Sequence, residues 1–187
     1  MYQLHAVTTL DELDADMSKN GASEAVLEAQ EEGLTKYNGI TSHGWKPPGL
    51  LLEALNPFPF DSALLPINPN FFSNANYKAK TEELLSRCKD EDVGTMIIKV
   101  IAKGAWGERE KNYTTWYGPF DTPEEIQNGI DFALSQDVTG ICTAADINLL
   151  PIVVEACEKF TPMNLETQAA LIEDSCKQMP IFEVEDT

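Results

Sequence analysis

Apolar residues recur along this chain in two alternating rhythms. Short strand-like runs occur at residues 2–7, 36–41, 61–67, 95–101 and 138–142, and the third of them is apolar almost throughout. An almost wholly apolar run such as 61–67, ended by Asn68-Pro69, is what a parallel strand covered on both faces requires. Between the runs the apolar positions fall three and four residues apart, as on one face of a helix. Thr9 and Asp11 offer a helix start, and residues 22–30 continue as a helix that Gly33 stops. Residues 50–55 form a short helix entered through Pro47 and Pro48, and residues 77–89 carry Leu84, Leu85 and Cys88 at helical spacing. Thr122-Pro123-Glu124-Glu125 combines an N-cap, a proline at the first helical position and a capping-box glutamate, so a helix is expected to about Ser135. Asp146 is expected to cap a helix reaching Phe160, and Asn164 a last amphipathic helix to about Lys177. The tail from Glu183 to Thr187 is expected to fray.

Alternation of strand and helix is the signature of a parallel α/β fold with right-handed crossovers. An open doubly wound sheet would place a Gly-x-Gly-x-x-Gly turn after an early strand, and the sequence has none. A barrel needs no such turn. Five β/α units out of eight predict a partial TIM (β/α)8 barrel, with about five parallel strands, alternating helices and an extra helix at the carboxyl end. Residues 1–178 are expected to form that domain and residues 179–187 a tail. The first strand begins at residue 2, which leads to the expectation that structure normally preceding it is missing.

Composition narrows the partners. The chain has 187 residues, 43% hydrophobic and 24% charged, enough for one ordinary core. Its formal net charge of -18 repels phosphate backbones and anionic bilayers, which argues against nucleic acid and membrane surfaces. No apolar run approaches the roughly 18 residues of a membrane helix, and residues 1–10 lack a secretory pattern, so a cytoplasmic location is expected. Cys88, Cys142, Cys157 and Cys176 are widely spaced, which predicts reduced, mostly buried thiols and no metal site.

In a parallel barrel, chemistry gathers at the carboxyl ends of the strands. His5 ends the first run, His43 follows the second by two residues, Asn68 closes the third, and Lys99 is expected within the fourth. A neutral imidazole there can polarise a carbonyl or pass a proton near pH 7. A loop of Gly and aromatics, with Trp106, Tyr113, Trp116 and Tyr117, is longer than a simple connection needs and is expected to carry function.

Several of these runs resemble the aldo/keto reductases. Tyr2-Gln3-Leu4-His5 is similar to the family's fourth barrel strand, and Glu31-Glu32-Gly33-Leu34-Thr35-Lys36-Tyr37-Asn38-Gly39-Ile40-Thr41 to its run ending in Gly-Ile-Thr. Leu65-Pro66-Ile67-Asn68-Pro69 resembles the sixth strand and Ile97-Ile98-Lys99 the seventh, in a branch carrying lysine there. Thr114-Thr115-Trp116-Tyr117, Leu134-Ser135-Gln136 and Asp146-Ile147-Asn148-Leu149-Leu150 also look like that branch. The resemblance implies NAD(P)H-dependent reduction of an aldehyde or ketone. By position, His5 would orient the carbonyl, Thr41 and Ser42 would meet the nicotinamide carboxamide, and Asn68, Lys99 and Thr143 would complete the NADP or NAD contacts. The family's catalytic Asp, Tyr and Lys belong to strands that this sequence does not supply.

Three readings follow. One is a truncated reductase chain, inactive alone. Another is an active enzyme assembled from chains that pair through open barrel edges. The third is a non-catalytic binding or regulatory module using the aromatic loop as its ligand surface.

Overall fold

The computed structural model describes residues 1–183; the predicted fraying of the tail, past Glu183, lies outside the described residues. Five strands form one parallel sheet: β1 (Tyr2–Leu4), β2 (Asn38–Thr41), β3 (Ser62–Pro66), β4 (Gly94–Ile98) and β7 (Gly140–Ile141). Their order, β1-β2-β3-β4-β7, follows the chain without reversal. A doubly wound sheet reverses at a switch point, whereas a barrel adds each strand beside the last, so the order is that of a partial α/β barrel. The register pairs Leu4 with Ile40, and Ile40 with Ala63.

Two compact units divide the chain, and each is described by itself. The first comprises Met1–Pro66 and Ala79–Met96. It holds α1 (Leu10–Met17), α2 (Ala22–Glu31), α3 (Pro47–Ala54) and most of α5 (Ala75–Asp90). Thr9 builds the expected cap: its hydroxyl accepts from the Glu12 amide at 3.1 Å, while the Glu12 carboxylate accepts from the Thr9 amide at 3.1 Å. Ile40, Leu51, Ala54, Ala63, Leu65 and Leu84 are fully enclosed and form this unit's core. Pro47 and Pro48 open α3 as the sequence predicts, because neither first-turn position needs a backbone donor.

The second unit comprises Ile67–Lys78 and the chain from Ile97 onward. It holds α4 (Pro69–Phe72), α6 (Pro123–Leu134), α7 (Leu150–Glu158) and α8 (Leu165–Ser175). Phe71, Ile97, Ile126, Ile130, Phe132 and Leu149 lie at its centre. Thr122 and Asn164 cap α6 and α8 through the amides of Glu125 and Thr167.

Three expectations change here. The apolar run 95–101 is not one strand: β4 stops at Ile98, and Lys99 turns the chain at φ 65. Two short strands follow, β5 (Ala102–Gly104) and β6 (Gly118–Pro119), which pair antiparallel and tie the base of the aromatic loop. Asp146 does not cap α7, whose N-cap is Leu149 and has no side-chain cap. Of the cysteines, all free, Cys88 is buried, Cys142 and Cys157 are half-buried, and Cys176 is exposed, so "mostly buried" holds for only part of the set. Among the described residues no helix is long and apolar enough to cross a membrane.

Candidate functional site

His5, Ser42, Asn68, Lys99 and Thr143 follow the carboxyl ends of their own strands by one or two residues, and Thr41 is the last residue of β2. In the first unit β1 ends at Leu4 and His5 comes next. Ala6 then adopts φ 58, a left-handed conformation that a non-glycine residue holds only when its surroundings enforce it. Thr41 supplies that enforcement. Its hydroxyl accepts from the Ala6 amide at 2.8 Å and its carbonyl from the Val7 amide at 3.0 Å. Ser42, wholly enclosed, donates its hydroxyl to the Val7 carbonyl. The turn places the exposed His5 ring against His43, with centroids 5.8 Å apart and planes at 68°. His5, Thr41, Ser42 and His43 are therefore brought together. The hydroxyls of Thr41 and Ser42 are already engaged in shaping the turn that presents His5.

In the second unit Lys99 takes the corresponding place after β4. Its carbonyl accepts from the Asn68 amide nitrogen at 2.9 Å and from the Ala102 amide at 3.0 Å, which fixes the left-handed turn. Asn68 is 2% exposed, and its oxygen accepts from the Phe71 amide at 3.0 Å, capping α4. Asn68 thus positions Lys99 through the backbone. The Lys99 Nζ lies 4.8 Å from the ring centre of Trp116 and 5.3 Å from that of Tyr117. Those two rings stand nearly perpendicular, at 88°. Burial lowers the pKa of the Lys99 ammonium and pushes the Tyr117 phenol up to about 12. Trp106 anchors the loop by donating its indole N–H to the Thr115 carbonyl at 2.8 Å.

Past β7, Thr143 is exposed and the segment 143–148 contains no basic side chain. Asp146 accepts from the Thr114 amide at 2.8 Å and from the Asn148 amide at 2.9 Å. These bonds, the Thr114 amide foremost, hold its carboxyl below the usual carboxylate range. Asp146 is thereby a tether for the aromatic loop, which a local reading of the sequence could not find, because its partner lies 32 residues away.

The tether makes a pH prediction. A carboxylate whose folded pKa is depressed contributes stability that is fully present above the unfolded value of about 3.9 and is lost as pH falls through the lower folded value. Acid titration followed by tryptophan fluorescence should show the loop loosening within that range. Asp146→Asn should weaken the tether at neutral pH and remove the acid step; an unchanged acid step in the variant would assign it to another group.

A groove of about 1090 Å³ in the first unit, between Leu10, Lys46, Gly49, Glu53 and Arg87, includes none of these residues. Among the described residues no group of three or more His, Cys, Asp or Glu side chains is arranged to hold a metal.

No family model and no curated protein matches the chain. Solved structures do. An aldo-keto reductase from Bacillus halodurans in its apo form is 21% identical with a TM-score of 0.59, over 93% of this chain and 60% of that one. The holo form of an aldo-keto reductase from the same organism gives 17% identity and a TM-score of 0.54, over 93% and 56%. An aldo-keto reductase complexed with NADPH gives 16% and 0.50, over 79% and 45%. The chain has an aldo/keto reductase-like fold, and it spans about 60% of the length of the first of these structures.

Proposed function

We propose that this chain is an aldo/keto reductase-like oxidoreductase chain that takes a small carbonyl compound and a nicotinamide cofactor at the carboxyl ends of its strands. The observation that carries this reading is the His5 turn: a left-handed Ala6, held by Thr41 and Ser42, presents an imidazole directly past the end of β1. A strained conformation kept by three side-chain and backbone contacts is a cost that a merely structural strand end has no need of. His5 would donate a hydrogen bond to the carbonyl oxygen and orient it. When bound, the cofactor would supply the hydride, a step that belongs to its own chemistry.

The fit to that cofactor is uneven. Lys99, on its fixed turn, and the exposed Thr143 are proposed to contact it. The Ser42 hydroxyl donates internally, whereas Thr41 Oγ1 only accepts from the Ala6 amide, so a contact there would come from the Thr41 O–H or from the backbone. With Asp146 ionised and no cation in residues 143–148, that segment offers a phosphate only neutral donors, which favours NAD over NADP. The chain spans about 60% of the first neighbour's length, and one positioned imidazole supplies only part of the rate, so turnover by this chain alone should be slow.

Titration with NADH and NADPH, followed by quenching of tryptophan fluorescence, tests the reading. Saturable quenching, weakened in Lys99→Ala, is expected; no quenching up to millimolar cofactor would overturn it. A second reading, a non-catalytic module binding through its aromatic loop, is favoured by Trp116, which is 53% exposed beside the buried Tyr117. Saturable binding of a carbonyl compound with no cofactor binding would select that second reading.

A further inference from the structure

The surroundings of Lys99 set it apart from the other ten lysines of the chain. Its backbone is immobilised at φ 65 by two hydrogen bonds to its own carbonyl, from Asn68 and Ala102. Its amine lies in the corner of two perpendicular rings, 4.8 Å from Trp116 and 5.3 Å from Tyr117. No carboxylate pairs with it among the described residues, whereas Lys80, Lys103, Lys159 and Lys177 each form an ion pair. Trp116 is half-exposed, so one side of the corner opens to solvent, and Tyr117, 6% exposed, closes the other.

We propose that the Lys99 amine is a nucleophile that condenses with neutral aldehydes to form an imine. This activity needs no nicotinamide and goes beyond the reductase reading. Lysine becomes reactive in this way when apolar surroundings desolvate it and no anion holds it as ammonium. The ring faces of Trp116 and Tyr117 act in the opposite sense, since they attract the cation by about 0.5–1 kcal/mol at a partly exposed site. Burial outweighs that attraction, in keeping with the direction of the amine's shift. The chain's net charge of -18 disfavours anionic carbonyl compounds, and the indole face offers an aromatic aldehyde a stacking surface.

The step balances without an oxidant or reductant. The amine lone pair forms a bond to the carbonyl carbon, and the C=O π pair moves to oxygen, which takes a proton. Nitrogen loses its protons as the carbinolamine expels water, leaving a C=N bond: amine plus aldehyde gives imine plus water.

The test uses the full chain without nicotinamide. Benzaldehyde at low molar ratio is added with sodium cyanoborohydride at neutral pH, and the benzylated lysines are located by peptide mass mapping. Lys99 should be labelled at least about fivefold faster than the mean of the other ten lysines. Lys99→Arg, which keeps the cation over the rings, should abolish that fast label and leave the slow background unchanged. Labelling of Lys99 at or below the mean rate in the unmodified chain overturns the proposal, whatever the variant does. Failure here would leave cofactor quenching untouched, so the two readings stand or fall separately.

Discussion

Phe132→Ala is expected to lower the stability of the second unit by about 3–5 kcal/mol. Phe132 is fully enclosed on α6, and its ring meets Phe72 edge to face, with centroids 5.5 Å apart and planes at 77°. The substitution removes a whole ring from water-excluded packing and leaves a cavity between elements with little freedom to collapse. An edge-to-face pair adds about 0.5–1.5 kcal/mol to the area term, and that part is lost with it. Domains are usually stable by only about 5–15 kcal/mol, so the variant should be marginal at room temperature. Urea unfolding should show a large fall in midpoint. A loss below about 1 kcal/mol would mean that Phe132 is not packed as described.

Gly104→Ala is expected to have the second large effect, in both conformation and contact. Gly104 has φ 144, which L side chains rarely adopt, at a cost of about 1–3 kcal/mol. A Cβ there would also lie 2.2 Å from the Met179 carbonyl oxygen, so the chain at Met179 must move. Phe182, three residues on, rests on Trp116 at 5.4 Å and would be carried off with it. Limited proteolysis should then cut near Met179 sooner, and Trp116 fluorescence should shift to the red. Gly33→Ala is the control: φ is 76 but nothing lies within 4 Å, so only conformational strain is added. Equal effects from the two substitutions would show that the Met179 contact contributes nothing.

Local signals were legible because their partners are local. Thr9, Thr122 and Asn164 cap their helices through amides three residues away, as the sequence pattern predicts. The strand order was legible too, since each apolar run was followed by a helix long enough to cross over. The Lys99 turn was hidden for a physical reason. Val100 and Ile101 are buried although they lie in a turn, so apolar character runs on past the end of β4 and imitates a longer strand. Ala6 gave no warning, because its left-handed conformation is imposed by Thr41 and not by glycine chemistry. Asp146 misled in the opposite way: an aspartate shortly before a helix usually caps it, and here Thr114 claims the carboxylate instead.

In the function proposed above, residues immediately past the strand ends receive the ligands. An amide-resolved NMR titration with a nicotinamide cofactor reads those positions one by one. Saturable shifts are expected at amides that follow strand ends, those of His5 and Ser42 within the first unit and those of Lys99 and Thr143 within the second, with the residues that precede those strands unmoved. Shifts confined to the opposite strand ends, or to the groove beside Lys46 and Arg87, would contradict the proposed function.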